Sequence, residues 1–246
     1  ELASGLSGEG RMAEPENIVA FLENDILEKL PLKGKKILVT AGPTFEAIDP
    51  VRFIGNHSSG KMGFDIANEA AKNGAEVILI SGPTHLKTEN SQVNLIRVTS
   101  AQEMYDACHQ YYTDVDVAIA AAAVADYKPK NVANQKIKKN DATFTIELEK
   151  TKDILGSLGA IKKNQFLIGF ALETENEIEN AKLKIQKKNL DLIVLNSLND
   201  KGAGFGKPTN KVTFIDENFQ IEPMDLKSKE AVALDIINKI IQHYDA

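Results

Sequence analysis

Residues 35–43 read Lys-Lys-Ile-Leu-Val-Thr-Ala-Gly-Pro, a short apolar run closed by a Gly-Pro pair. A strand covered by helices on both faces is buried on both sides, so it reads as an unbroken apolar run rather than an alternation. A helical stretch over 63–73 follows, then a second run, Ala75-Glu76-Val77-Ile78-Leu79-Ile80-Ser81-Gly82. This order predicts a βαβ unit with a right-handed crossover. The rhythm continues with a helix over 101–112 and a nearly all-apolar strand over 115–124. Strands are expected at 143–148, 165–171 and 190–195, and helices at 154–161 and 173–188. A closing edge pair at 211–216 and 219–222 and a last amphipathic helix over 226–244 complete the pattern. The expectation is an α/β fold: a doubly wound, Rossmann-like, mostly parallel sheet with a small C-terminal β edge or hairpin. Ligands of such sheets sit beyond the carboxyl ends of the strands.

The segment ahead of this body differs. Residues 1–11 are rich in Gly and Ser and read as a loop. A short helix beginning near Pro15 would place Ile18, Val19, Phe21, Leu22, Ile26 and Leu27 on one side. Pro31 and Gly34 mark a linker. The chain opens on Glu-Leu-Ala-Ser-Gly rather than Met and carries no secretory pattern, so it is expected to be a piece of a longer polypeptide.

Charge and composition exclude several functions. Lys and Arg number 29 against 35 Asp and Glu, a net charge of −6, which offers no basic face for nucleic acid. No apolar run is long enough to span a bilayer. A single cysteine, Cys108, permits no internal disulfide, and a cytoplasmic location is expected. Four histidines, at 57, 85, 109 and 243, show no metal-ligand spacing.

Dinucleotide chemistry lacks its fingerprint. The first strand leads into Gly42-Pro43-Thr44, and the near match Gly8-Glu9-Gly10-Arg11-Met12-Ala13 follows no strand. No tyrosine has a lysine four residues on, which together with the absent fingerprint disfavours an NAD(P)-dependent oxidoreductase, the alternative enzyme reading. Residues Gly55-Asn56-His57-Ser58-Ser59-Gly60-Lys61-Met62 fit Gly-x-x-x-x-Gly-Lys, but Met62 stands where a P-loop needs Ser or Thr for Mg²⁺. The small residues still let backbone N–H groups approach an anion at a helix N-terminus, with Lys61 adding charge. The plainer alternative is a self-capped helix start. Alanines 120–123 would bare the backbone at a central strand end for a flat ligand, with Asp126 at the carboxyl edge. Close helix packing would also explain them. Lys136 and Lys138 share a face if extended, and Lys184 and Lys188 share one on a helix. Such lysines are more often solvated surface, unless a polyphosphate draws them together. The residues alone therefore point to a doubly wound domain binding an anionic, nucleotide-like ligand.

Two segments, Thr40-Ala41-Gly42-Pro43-Thr44-Phe45-Glu46-Ala47-Ile48-Asp49-Pro50-Val51-Arg52-Phe53-Ile54 and Asn56-His57-Ser58-Ser59-Gly60-Lys61-Met62-Gly63, closely resemble the phosphopantothenate–cysteine ligase family. Ala122-Ala123-Val124-Ala125-Asp126-Tyr127, Lys136-Ile137-Lys138-Lys139 and Lys188-Asn189-Leu190-Asp191 match later blocks in order. The resemblance runs from about residue 35 to the C-terminus. The tail, through Leu2-Ala3-Ser4-Gly5 and Gly8 to Pro15, resembles the end of the flavin-dependent phosphopantothenoylcysteine decarboxylase that precedes the ligase in fused bacterial chains. Many relatives carry a catalytic cysteine where Ser4 stands. The implied organisation is a decarboxylase tail with linker over 1–30 and a ligase domain over 31–246, with FMN confined to the missing decarboxylase domain.

The resemblance implies a two-step ligation. The carboxylate of 4′-phosphopantothenate attacks the α-phosphate of CTP, and L-cysteine then displaces CMP, with Mg²⁺ neutralising the triphosphate. By motif position Lys136 supports formation of the acyl-cytidylate and Asn56 binds that intermediate. Ala120, Ala121, Ala122, Asp126, Phe170, Lys184 and Lys188 contact the nucleotide, Asp126 through ribose or cation. The turn Thr151-Lys152-Asp153-Ile154 does so too, although Lys152 departs from the family's Pro. Gly42, Ser58, Ser59, Gly60 and Lys61 remain the anion-binding candidates. A homodimer with sites near its interface is implied, with higher assembly through the decarboxylase domain. A non-catalytic nucleotide-binding module is the remaining alternative.

Overall fold

The computed structural model describes residues 12–88, 90–138, 143–197 and 206–245. Helix α1 (Pro15–Glu28) precedes β1 (Lys36–Ala41), the hairpin β2 (Phe45–Ala47) and β3 (Phe53–Gly55), and α2 (Lys61–Lys72). Next come β4 (Glu76–Ser81), β5 (Val93–Arg97), α3 (Ala101–Tyr111), β6 (Val117–Ala120), and a second hairpin, β7 (Tyr127–Pro129) with β8 (Leu148–Lys150). The C-terminal part holds α4 (Ile154–Ile161), β9 (Phe166–Glu173), α5 (Glu177–Lys188), β10 (Leu192–Ser197), β11 (Thr209–Asn210), β12 (Val212–Asp216), β13 (Ile221–Pro223), β14 (Lys227–Ser228) and α6 (Lys229–Asp245).

The central sheet has the order β13-β12-β10-β9-β6-β1-β4-β5; β12 runs antiparallel to both its neighbours, β10 and β13, and the other neighbours are parallel. This is the expected doubly wound sheet with a C-terminal β edge. The alternation of side chains across β1 explains the unbroken run: Ile37, Val39 and Ala41 pack with α2 and α6, while Leu38 packs on the other face with α3, α4 and α5. From β1 the chain builds outward through β4 and β5, then returns to β6 on the opposite side. The strand order therefore reverses between β1 and β6, where such a sheet opens a crevice for ligands.

Helix α2 approaches the end of β1 closely. A Cβ on Gly63 would lie 2.6 Å from Ala41 Cβ, so only glycine fits that contact. Helix α3 begins where a capping box forms, Ser100 accepting the Glu103 N–H while the Glu103 carboxylate takes the Ser100 N–H.

Several elements differ from the sequence expectation. The strand expected over 115–124 ends at Ala120, because beyond it the chain bonds to side chains and loop carbonyls rather than to a sheet ladder. Only Leu148–Lys150 of the next region is a strand, paired with β7 outside the central sheet. Helix α5 starts at Glu177 because β9 runs on to Glu173. Helix α6 starts at Lys229 because β14 pairs with β11. The hairpin β2–β3 and the edge strand β5 carry too few apolar residues for an apolar run to announce them.

Helix α1 leaves Val19, Phe21, Leu22, Ile26 and Leu27 exposed. The body begins at fully buried Leu32, whose N–H donates to Asn73 O at 2.9 Å. The decarboxylase-like residues 1–11, including Ser4, lie outside the described residues, as do 198–205.

Candidate active site

A cleft of about 810 Å³ opens at the reversal of strand order. One wall is the bared backbone after β6. It is suspended from the β1 side by the Ala122 N–H to Thr40 Oγ1 at 3.1 Å, the Ala123 N–H to Gly42 O at 2.9 Å and the Ala125 N–H to buried Thr44 Oγ1 at 2.9 Å. Asn56 clasps the same segment, its amide donating to Ala123 O at 3.0 Å and Val124 O at 3.1 Å. Both amide hydrogens are thereby used, which fixes the Asn56 side chain at the cleft wall. Asp126 follows, exposed and lining the cleft.

The second wall is the start of α2. Gly60, the residue before the helix, has φ 82°, and a Cβ there would lie 3.3 Å from Gly42 Cα. Ser58 and Ser59 accept the Gly60 and Lys61 N–H groups at 3.3 and 3.4 Å. Ser58, Ser59, Gly60 and Lys61 all line the cleft, whereas Gly42 stands behind it and supports Ala123. Lys61 is not idle: its ammonium holds both Asp65 oxygens at 2.9 and 3.0 Å and also Glu230.

The third wall carries Thr151, Lys152, Asp153, Ile154, Phe170 and Lys188. Thr151 is tied to the first wall through its N–H to Asp126 O at 2.9 Å and its hydroxyl to Ala125 O at 2.6 Å. Asp153 caps α4 by accepting the Gly156 N–H at 2.9 Å and pairs with Lys188 Nζ at 2.8 Å. Burial raises the Asp153 pKa, but Lys188 and the Gly156 N–H outweigh it and hold the carboxyl below its ordinary value. Lys152 rests its ammonium over the Tyr105 ring, 4.4 Å from the centroid.

Two resemblance-derived residues stand away from this cleft. Lys184 lies one turn before Lys188 but pairs with Glu173. Lys136 is exposed on a strap anchored elsewhere: Asp49 accepts the Ile137 N–H at 3.1 Å, and Arg52 donates to Ile137 O at 2.6 Å. Asp49 has a fully buried side chain and also takes the Val51 and Arg52 N–H groups and the Arg52 guanidinium. Burial pushes its pKa up, but these donors overcome that and hold it far below the usual carboxylate range.

Sequence reasoning missed a fourth wall. Asn196 at the end of β10, Asn210 in β11, Gly206 and Lys229 at the start of α6 also line the cleft. Asn210 is buried and donates to Asn196 Oδ1 at 3.1 Å. A signal existed in Ser228-Lys229, a helix-starting pair, but a helix expected from 226 made Lys229 an interior surface residue. Among the described residues no three His, Cys, Asp or Glu side chains gather to hold a metal.

A family model described as DNA/pantothenate metabolism flavoprotein C-terminal domain matches residues 32–244. The chain belongs to this family. Relatives of this family member include the coenzyme A biosynthesis bifunctional protein CoaBC of Bacillus subtilis, 46% identical over 97% of this chain and 59% of that protein. A protein from an unknown prokaryotic organism, called cysteine/cysteine sulfinic acid decarboxylase, is 52% identical over 98% of this chain and 68% of that one. The chain thus spans about three-fifths of the CoaBC relative and about two-thirds of the other. The crystal structure of the C-terminal domain of a CoaBC protein superposes with a TM-score of 0.75 at 45% identity, covering 88% of this chain and 99% of that one.

Proposed function

We propose that this chain is the phosphopantothenate–cysteine ligase part of a coenzyme A biosynthesis protein. In this reading 4′-phosphopantothenate, L-cysteine and CTP give 4′-phosphopantothenoylcysteine, CMP and pyrophosphate. The relatives' names include both a bifunctional synthesis protein and a decarboxylase, so the cleft itself has to decide. The observation that carries the reading is the meeting of three surfaces in one cleft: bare backbone with Asn56 and Asp126, the α2 start, and the Asp153–Lys188 wall with Phe170. That combination suits a ligand with a flat ring, a sugar and several phosphates.

The chemistry requires an activated carboxylate. A carboxylate oxygen attacks the α-phosphorus and the bond to pyrophosphate breaks. The cysteine amine then attacks the acyl carbon, loses a proton, and CMP leaves. Backbone N–H groups and ammonium groups directed at the phosphates supply the electrostatic stabilisation. Lys136 would neutralise charge as the mixed anhydride forms, and Asn56 would hold the anhydride for the amine. Mg²⁺ fits as a cation carried in on the phosphates, since the exposed Asp126 in the cleft suits a metal that takes one or two carboxylates beside substrate oxygens. It would supply charge neutralisation. FMN would belong to the flavin-dependent part of the longer protein.

Lys136 is exposed and does not line its own cleft, and a homodimer would account for that. Val51, Phe53, Tyr127, Val132 and Leu148 are exposed on the two hairpins and on the strap that carries Lys136. A second copy covering these apolar residues would receive Lys136 at its own cleft. A cytoplasmic location is consistent with a chain in which no helix among the described residues is long and apolar enough to cross a membrane.

The test is nucleotide dependence. Pyrophosphate is measured with phosphopantothenate, cysteine and Mg²⁺ in the presence of CTP, ATP or neither. Release with CTP is expected; product formation that needs no nucleotide refutes the ligase reading.

A further inference from the structure

Helix α3 packs on α4 and grips the third wall of the cleft on both sides of the Asp153 cap. Before the cap, the Lys152 ammonium lies over the Tyr105 ring, where the negative face of the ring attracts it. Lys152 is exposed, so its ammonium could reach water instead. After the cap, His109 Nε2 and Ser157 Oγ are 2.9 Å apart, and the Ser157 hydroxyl donates to Ile154 O at 2.7 Å. That hydroxyl has one proton and Ile154 O takes it, so Nε2 carries a hydrogen and donates to Ser157. The His109 ring also packs on Tyr105, with centroids 4.2 Å apart. Two residues one turn apart on α3 thus reach Lys152, Ser157 and, through Ser157, Ile154.

Lys152 and Ile154 line the cleft, whereas Tyr105, His109 and Ser157 do not. An ammonium resting on a ring outside the cleft anchors the turn that carries it and is not offered to a ligand. Residues 151–153 lie outside any helix or strand, so no backbone ladder fixes them. Asp153 is committed to the Gly156 N–H and to Lys188. Where α3 holds the turn therefore also sets where the Asp153–Lys188 pair stands.

We propose that Tyr105 and His109 are positioning residues for the nucleotide: by holding Lys152 and Ser157 they fix the 151–154 wall against which its nucleoside part lies. Lys152 serves as the anchor of this wall and contacts no phosphate. The inference deepens the ligase reading and rests on it. The clamp is also sensitive to acid. Burial lowers the pKa of His109 most, Asp106 on the same helix raises it, and Lys152 lowers it. Helix α4 brings no titratable side chain to it. Protonated, His109 sets a second cation against the ring that holds Lys152, and the anchor loosens.

Calorimetric titration of the whole chain with CMP and CTP, in Mg²⁺ near neutral pH, tests this. The variants are Tyr105→Leu, Tyr105→Phe, Lys152→Met and the double variant Tyr105→Leu with Lys152→Met. Tyr105→Leu and Lys152→Met should each weaken CMP and CTP alike, by about two- to five-fold. The double variant should bind no worse than either single one, because both remove the same contact. Tyr105→Phe keeps the ring face and should bind as wild type does. Should Tyr105→Leu not fold, Lys152→Met at its exposed position still decides. Weakening confined to CTP, losses that add in the double variant, or unchanged binding in Lys152→Met overturns the proposal and leaves the ligase reading intact. In a pH series, wild type should lose CMP affinity on acidification more steeply than His109→Gln, whose amide can donate to Ser157 but does not titrate. Parallel profiles overturn the role of His109. Wild-type protein that binds neither nucleotide removes both readings together.

Discussion

Asp49 Oδ2 accepts the backbone N–H of Ile137 at 3.1 Å, across 88 residues of sequence. The neighbour of Ile137 is Lys136, so a buried carboxylate in the turn between β2 and β3 sets where the candidate catalytic ammonium stands. Replacing Asp49 by Asn keeps the shape but weakens the bonds from Arg52 and Ile137, because charge-assisted hydrogen bonds are about twice as strong as neutral ones. Asp49→Asn should therefore slow the pyrophosphate-releasing step while leaving CMP affinity unchanged, as read by pre-steady-state pyrophosphate release and by titration. An undiminished first step would separate Asp49 from the placement of Lys136.

The same carboxylate gives a pH prediction. Its pKa is depressed in the folded chain, so its stabilisation is complete above the unfolded value of about 4 and is lost as pH falls below it. Wild-type stability should drop more steeply than that of Asp49→Asn between about pH 4 and pH 2. Parallel acid-unfolding curves followed by circular dichroism would contradict this.

The parallel strands were visible in the sequence because both faces are covered: Ile37, Leu38, Val39, Val77, Leu79 and Ile80 are buried and apolar. Hairpin β2–β3 was not, because strands of three residues each are too short for an apolar run or a period to show. The α2 start and the alanine wall were legible because glycine, serine and alanine there permit close backbone approach. Lys229, Asn196 and Asn210 were not, since they reach the cleft only through the packing of C-terminal elements with no local period. Phe170 and the role of Lys136 were reached through family resemblance; spacing marked Lys136 only as a lysine sharing a face with Lys138.

Placing Lys136 in a partner's cleft has a direct consequence for mixtures. Lys136→Ala and Asn56→Ala should each be inactive in ligation, the first lacking pyrophosphate release and the second accumulating acyl-cytidylate. Unfolded together and refolded, they should recover about a quarter of wild-type activity, because half the two-fold dimers are mixed and each has one intact site. If both residues serve the same chain's cleft, the mixture stays inactive.

Gly60 is a conformational requirement. With φ 82° and the Gly42 backbone 3.3 Å from a would-be Cβ, alanine there meets both a left-handed backbone and a close neighbour. Gly60→Ala should cost about 1–2 kcal/mol in denaturant unfolding from the left-handed conformation alone. It should also weaken CTP more than CMP. A variant as stable as wild type would mean the turn before α2 relaxes without penalty.

Cys108 is buried, and burial pushes its thiol up to about 12. Almost no thiolate exists at neutral pH, so a thiol-reactive disulfide reagent should label it only as the protein unfolds. Rapid labelling of the native chain would show that α3 opens readily.

The central claim is that this protein joins an acid to an amine with cleavage of a nucleoside triphosphate. Mass spectrometry of a reaction containing phosphopantothenate, isotopically labelled cysteine, CTP and Mg²⁺ tests it most directly. The account predicts labelled phosphopantothenoylcysteine with equal amounts of CMP and pyrophosphate, and none without CTP. Decarboxylated cysteine, or condensation product without CMP, would contradict it.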